Sequence, residues 1–319
     1  MQAFPHIKDT MILFRAARRS AFFGLALWAV LSVYGGLSHP PGKVRIVATV
    51  FPLAEFAREI GGGRVDVHLL LPPGADVHTW QPRVSDIRRL ETADLLVFIG
   101  QGLEPWLTSL LNGANPSRLA RFEAASGRTL LPSVPDGDDH DHGAFDPHIW
   151  LDFRMDQDLA DGIAAALARL DPAGAPDFLR GAGNLKDRLK ALDAAYEAGL
   201  KDCRCREFIL GGHAAFAYLA RRYGLRQVAV YGASPDAAPT PKGTAAVIAR
   251  AAKEGIQTIF YEPSLGDKMA RLIAAEIGAK VRILYPAHNL SPEQAAAGET
   301  FFRLMETNLE NLKNGLGCR

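Results

Sequence analysis

The sequence predicts an α/β molecule: two lobes of parallel sheet flanked by helices, joined by one long linking helix. Three observations predict it. Short β-branched runs alternate with helical patterns, the signature of βαβ units and a parallel sheet. The alternation stops mid-chain for two successive strong helical patterns. It then restarts and continues to the C-terminus.

The first lobe, residues 44–171, opens on Val44 to Val50, a β-branched run of the kind buried in a parallel strand. Pro52 to Ile60 reads as helix, ended by Gly61-Gly62-Gly63. Val65 to Leu71 is a second strand, broken by Pro72-Pro73-Gly74 into a loop that carries His78. Ser85 starts a helix through Ala93 with Asp86 in its first turn. Leu95 to Ile99 reads as strand and Glu104 to Leu111 as a short helix. A polar loop, Asp136 to His142 (DGDDHDH), leads to Asp156–Leu170, strongly helical. The second long pattern runs from about Pro176 to Leu200, within a linking segment of residues 172–201. Leu185, Leu189, Leu192 and Tyr196 recur on it at three- and four-residue spacing, with Gly181 and Gly183 as weak points. The second lobe, residues 202–319, alternates strands at Glu207–Leu210, Gln227–Tyr231, Thr258–Tyr261 and Val281–Tyr285 with helices at Ala214–Tyr223, Lys242–Glu254 and Asp267–Ile277. It ends in a helix over Glu293–Leu312.

Residues 1–40 differ in kind. Arg15, Arg18 and Arg19 precede an uncharged run from Ala21 to Leu37, and Gly35, Gly36 and Ser38 follow its core. This reads as a secretory signal peptide, with an uncleaved membrane anchor as the alternative. No cysteine stands near the expected cleavage point, so the expectation is a periplasmic protein without a lipid anchor. Three cysteines, Cys203, Cys205 and Cys318, then fit an oxidising compartment. Cys318 can pair with Cys203 or Cys205, and one thiol is left over in either case. Lys plus Arg number 36 against 35 for Asp plus Glu, a balance that offers no basic footprint for nucleic acid.

Four histidines share one context. His78, His148, His213 and His288 each follow a strand or the loop beyond it, two in each half. Ligands of open parallel sheets bind outside the carboxyl ends of the strands, so a cleft between halves would bring these imidazoles together. Neutral imidazole is a standard zinc donor, and three would supply most of a tetrahedral shell. His68 alternates with Val65, Val67 and Leu69 and belongs to a sheet face.

Phe51-Pro-Leu-Ala, Leu71-Pro-Pro-Gly-Ala-Asp-Val-His-Thr-Trp-Gln-Pro82 with Asp86, Asp146-Pro-His-Ile-Trp-Leu-Asp152 and Gly212-His-Ala-Ala-Phe-Ala-Tyr-Leu-Ala-Arg-Arg-Tyr-Gly224 resemble one family in order and spacing. The chain is similar to the metal-binding periplasmic proteins of zinc and manganese ABC transporters, and is ZnuA-like in character. The resemblance implies a metal held between the lobes, with His78, His148 and His213 as ligands. Manganese members usually place Glu where His213 stands, so the resemblance favours Zn2+ over Mn2+. It also implies a monomer that hands its ion to the membrane permease of an ABC transporter, with a periplasmic metallochaperone as a further partner. His140 and His142 match the His- and Asp-rich insertion of zinc members, a transient metal loop or a solvated loop tip.

The pattern breaks at the fourth ligand. Many relatives carry Asp where this chain has Tyr285. His288, a water molecule or Glu262 remain as the fourth donor, with His288 preferred. Two rivals use the same residues. A zinc hydrolase would keep the fourth position for water, with Glu262 as the base. An adhesin or metallochaperone would use the scaffold without a transporter.

Overall fold

The computed structural model describes residues 42–114, 118–133, 144–232 and 240–319. Residues 1–40, expected to be an export signal, and the acidic loop with His140 and His142 lie outside the described residues. Among the described residues no helix is long and apolar enough to cross a membrane.

The first lobe contains β1 (Val44–Ala48), α1 (Phe51–Gly61), β2 (Val65–Leu69), α2 (Val84–Thr92), β3 (Leu95–Phe98), α3 (Leu107–Ala114) and β4 (Ala120–Glu123). Its sheet is parallel throughout, in the order β2-β1-β3-β4. Ile46 of β1 pairs with Val67 on one side and Leu95 on the other. Apart from the exposed Arg45, β1 is apolar because both faces are covered, and Val44, Ile46, Val47 and Ala48 are all buried. The edge strand β4 has the sequence ARFE, without the apolar run that marks β1, and the sequence pattern does not reveal it. The second lobe repeats the topology. β5 (Glu207–Leu210), α6 (Ala217–Arg222), β6 (Arg226–Ala229), α7 (Pro241–Lys253), β7 (Thr258–Tyr261), α8 (Lys268–Ile277) and β8 (Lys280–Ile283) build a parallel sheet ordered β6-β5-β7-β8.

Between the lobes stand α4 (Phe153–Leu170) and α5 (Ala175–Leu200). Asp152 starts α4 by accepting the backbone N–H groups of Arg154 and Met155. Asp171 then caps the tight turn at Pro172 by accepting from Gly174. The chain doubles back, and Lys186 of α5 reaches Asp161 of α4 at 2.6 Å.

The linking helix α5 is anchored at both ends. Its first half lies on α1, where Gly181 meets the Ile60 carbonyl and Arg188 pairs with Glu59 at 2.8 Å. Its second half belongs to the other lobe. Asp193 accepts two hydrogen bonds from Arg222 and one from the Tyr223 hydroxyl, and the Tyr196 hydroxyl donates to the Met305 carbonyl at 2.6 Å.

The C-terminal helix expected over Glu293–Leu312 is two helices, α9 (Pro292–Ala296) and α10 (Phe301–Leu316). Gly298 sits at φ 65, a left-handed conformation that stops α9. Thr300 then caps α10 by accepting the Arg303 N–H. Of the two cysteine pairings, Cys203 with Cys318 forms, and Cys205 is the free thiol. The bridge ties the end of α10 to the segment that leads into β5.

Candidate metal centre

The two sheets have their topological switch points between β1 and β3 and between β5 and β7, where successive crossovers leave in opposite directions. The predicted histidines lie at these carboxyl ends. His213 follows β5. The expected helix start at Ala214 does not occur there, because Ala214 donates to the Gly232 carbonyl and α6 begins only at Ala217. The imidazole is thus left at the strand end. His148 comes from the loop that opens α4, and His78 from the loop after β2.

His78, His148 and His213 converge. One ring nitrogen from each lies within 4.8 Å of the others, and all three side chains are buried. The Nε2 atoms of His148 and His213 stand 3.2 Å apart. Two donors of a tetrahedral shell with Zn–N of about 2.0–2.1 Å are separated by roughly 3.3 Å, so this pair already has the spacing of an ion's edge. The His78 ring centroid lies 5.8 Å from that of His148 and 5.7 Å from that of His213.

Each imidazole is set by a carboxylate that accepts its backbone N–H. Asp76 Oδ1 accepts from His78 at 2.9 Å, Asp146 Oδ1 from His148 at 2.9 Å and Glu262 Oε1 from His213 at 2.8 Å. Asp146 Oδ1 also meets Nδ1 of His148 at 2.8 Å, and Glu262 Oε1 meets Nδ1 of His213 at 2.9 Å. A carboxylate on Nδ1 keeps the proton there and leaves the Nε2 lone pair facing the cluster. Burial lowers the His213 pKa, but the charge and hydrogen bond of Glu262 outweigh it and leave the pKa raised.

Asp76 and Asp146 were absent from the predicted site, although a signal for both was present. Asp76-x-His78 and Asp146-x-His148 repeat one spacing. Glu262, considered above as a fourth donor, is instead placed on the Nδ1 side of His213, across the ring from the cluster. His288 is buried rather than exposed in a turn, and burial lowers its pKa to about 3. Its ring centroid is 6.3 Å from that of His213, and it lies outside the group of three mutually close donors. Tyr285 has its backbone N–H and carbonyl both held by Asn308. His68 faces Arg89, with Nδ1 at 3.1 Å from the guanidinium.

The lobes meet around this cluster through direct hydrogen bonds. The Trp150 indole donates to the Pro286 carbonyl at 2.7 Å, Phe51 N–H to the His288 carbonyl at 2.9 Å and the Tyr218 hydroxyl to the Asp146 carbonyl at 2.8 Å. The Asn289 amide bridges to the carbonyls of Pro72 and Ala75.

Residues 46–315 match the family described as zinc-uptake complex component A, periplasmic, or ZnuA. The chain belongs to this family. It is 33% identical over 279 residues to the zinc-binding lipoprotein AdcA of Streptococcus pneumoniae, a match that covers 85% of this chain and 56% of that protein. The chain thus spans little more than half the length of the AdcA relatives it matches. It is 32% identical over 296 residues to the high-affinity zinc uptake system protein ZnuA of Bacillus subtilis, covering 89% of this chain and 91% of that one. The crystal structure of the Zn(II)-bound ZnuA-like domain of pneumococcal AdcA superposes with a TM-score of 0.74 at 32% identity. It covers 86% of this chain and 99% of that domain.

Proposed function

We propose that this chain captures a zinc ion between its lobes, on His78, His148 and His213, and delivers it to the permease of an ABC transporter. The observation that carries this reading is the buried cluster of three imidazoles with a 3.2 Å Nε2–Nε2 edge. Asp76, Asp146 and Glu262 surround it with negative charge, which offsets the charge of a divalent cation. An all-nitrogen donor set suits borderline-soft zinc better than manganese, which prefers carboxylate oxygen. The zinc-binding and zinc-uptake relatives support the same choice. In this reading residues 1–40 direct export to the periplasm, where His140 and His142 would gather zinc loosely before capture. The fourth donor is a water molecule in this reading.

Transport is favoured over hydrolysis. Glu262 is engaged on the side of His213 remote from the cluster, which suits an orienting partner of His213 better than a base on a zinc-bound water. Release proceeds by local loop shifts, since α5 is fastened to both lobes.

Competition titration against chelators, with zinc and then manganese, tests the reading. One zinc per chain should bind at nanomolar strength, roughly 12 kcal/mol, and manganese far more weakly. His148→Ala should lose at least about 100-fold in zinc affinity. Tighter binding of manganese, or full zinc affinity in the variant, would refute it.

A further inference from the structure

A buried tyrosine joins the two halves of the site from behind. Tyr218, on α6 of the second lobe, is fully buried, and its hydroxyl reaches into the first lobe. The hydroxyl accepts the Leu131 N–H at 3.0 Å and donates to the Asp146 carbonyl at 2.8 Å. The Asp146 N–H in turn donates to the Leu131 carbonyl at 2.8 Å, so the three residues close a ring of hydrogen bonds. A buried tyrosine hydroxyl needs partners wherever it sits. What distinguishes this one is where its bonds end.

At one end stands His148. Asp146 holds it twice, accepting its backbone N–H and meeting its Nδ1, both through Oδ1. At the other end stands His213, in the turn that leads into α6. That turn is bonded within its own lobe. Ala214 donates to the Gly232 carbonyl, Ala215 to the His213 carbonyl and Phe216 to the Gln227 side chain. Tyr218 and His213 therefore form one unit, and Asp146 and His148 another. The Trp150 indole and the Phe51 N–H also cross between the lobes, but they end on the carbonyls of Pro286 and His288. The Tyr218 bond ends on a residue whose carboxylate orients a ligand. Burial pushes the Tyr218 pKa up to about 12, so the hydroxyl stays a donor at any pH where imidazole ligates.

We propose that Tyr218 is a positioning residue for zinc capture, its hydroxyl setting the spacing of His148 and His213 across the lobes. The proposal rests on the zinc-capture reading. The 3.2 Å separation of the two Nε2 atoms then exists before the ion arrives. Donors already in place spare the cost of ordering them on binding, so affinity depends on the hydroxyl although it supplies no ligand atom. Without it, the Leu131 N–H and the Asp146 carbonyl lose their partner. The Asp146–His148 unit is then free to shift against the Tyr218–His213 unit.

The test is competition titration of the full chain with zinc alone. Tyr218→Phe removes the hydroxyl and keeps the ring. Tyr218→Met, a flexible apolar filler, is the second variant. Thermal unfolding of the metal-free proteins confirms that each is folded, and either alone suffices for the titration. In both, the zinc dissociation constant should rise by about tenfold. The visible spectrum of the cobalt-loaded variants should keep the band positions of the unsubstituted chain, because the donors are the same. Two double-substitution cycles then locate the effect. Tyr218→Phe should add less than about twofold to the loss caused by Asp146→Asn, but should multiply the loss caused by Glu262→Gln in full. A merely structural role would lower the melting temperature and leave zinc affinity unchanged, which would overturn the proposal. Full multiplication in both cycles, or a shifted cobalt spectrum, would overturn it too. Failure of the unsubstituted chain to bind zinc would instead refute the zinc-capture reading.

Discussion

At the scale of single residues, the site depends on what stands behind each ligand. Glu262 positions His213 through both its backbone N–H and its Nδ1. Glu262→Gln should lower zinc affinity by roughly 10–100-fold while leaving the fold intact, measured by competition titration beside a thermal melt. An unchanged affinity would mean that packing alone orients the ring. Ligation needs neutral imidazole, so zinc affinity should fall as pH drops, and the raised pKa of His213 starts that fall above the unperturbed histidine value of roughly 6.5. A flat profile between pH 7.5 and 5.5 would argue against three histidine ligands. The convergence was legible for His78 and His213 because each follows a strand end, and a parallel sheet sends such ends to one side, whereas His148 was legible through the motif Asp146-Pro-His148 that opens α4. The orienting role of Glu262 was not, since it depends on β7 lying next to β5 in the sheet. His288 was expected as the preferred fourth donor, but its reach depends on the loop after β8, where Ala287 adopts φ 60.

At the scale of elements, two glycines of α5 that look alike in sequence have opposite roles. A Cβ on Gly181 would lie 2.4 Å from the Ile60 carbonyl oxygen, a backbone atom that cannot step aside, whereas nothing lies within 4 Å of one on Gly183. Gly183→Ala should therefore stabilise the protein by up to about 1 kcal/mol through helix propensity. Gly181→Ala should destabilise it by roughly 1–3 kcal/mol, because overpacking outweighs that gain. Chemical denaturation reads both, and equal signs would contradict the packing described here. Helix spacing revealed α5 well but could not distinguish these glycines, because the distinction lies in the partner helix. The junction of α1 with α10 adds a pH effect. Glu55 accepts the Phe301 N–H at 2.9 Å, yet burial pushes its pKa up from 4.5 to about 7. The folded state then holds a proton that the unfolded state has lost between those values, so stability should fall as pH rises across that window. Glu55→Gln should flatten this part of the stability profile, and a slope that persists in the variant would assign it to another group.

At the scale of the whole molecule, the two lobes share a strand order and present their switch points to one cleft, with α5 fastened to both. Alternating patterns made both sheets and the link legible. The short β4 and the break between α9 and α10 were hidden, the first by its mixed composition and the second because one left-handed glycine ended a pattern that otherwise reads as continuous. The Cys203–Cys318 bridge closes a loop with a sequence separation of 115 residues. Its loss in Cys318→Ser should cost on the order of 3–5 kcal/mol, seen as a lower melting temperature, and should leave Cys205 unpaired as before. Zinc affinity should survive that change, because the bridge pins the end of α10 and no ligand lies there. All of this organisation brings imidazoles from both lobes to one point. X-ray absorption at the zinc edge, on the protein loaded with one equivalent, tests that most directly. The account predicts three imidazole nitrogens at about 2.0–2.1 Å, with one light atom completing the shell. A shell with fewer than three imidazoles, or one unchanged by His213→Ala, would contradict it.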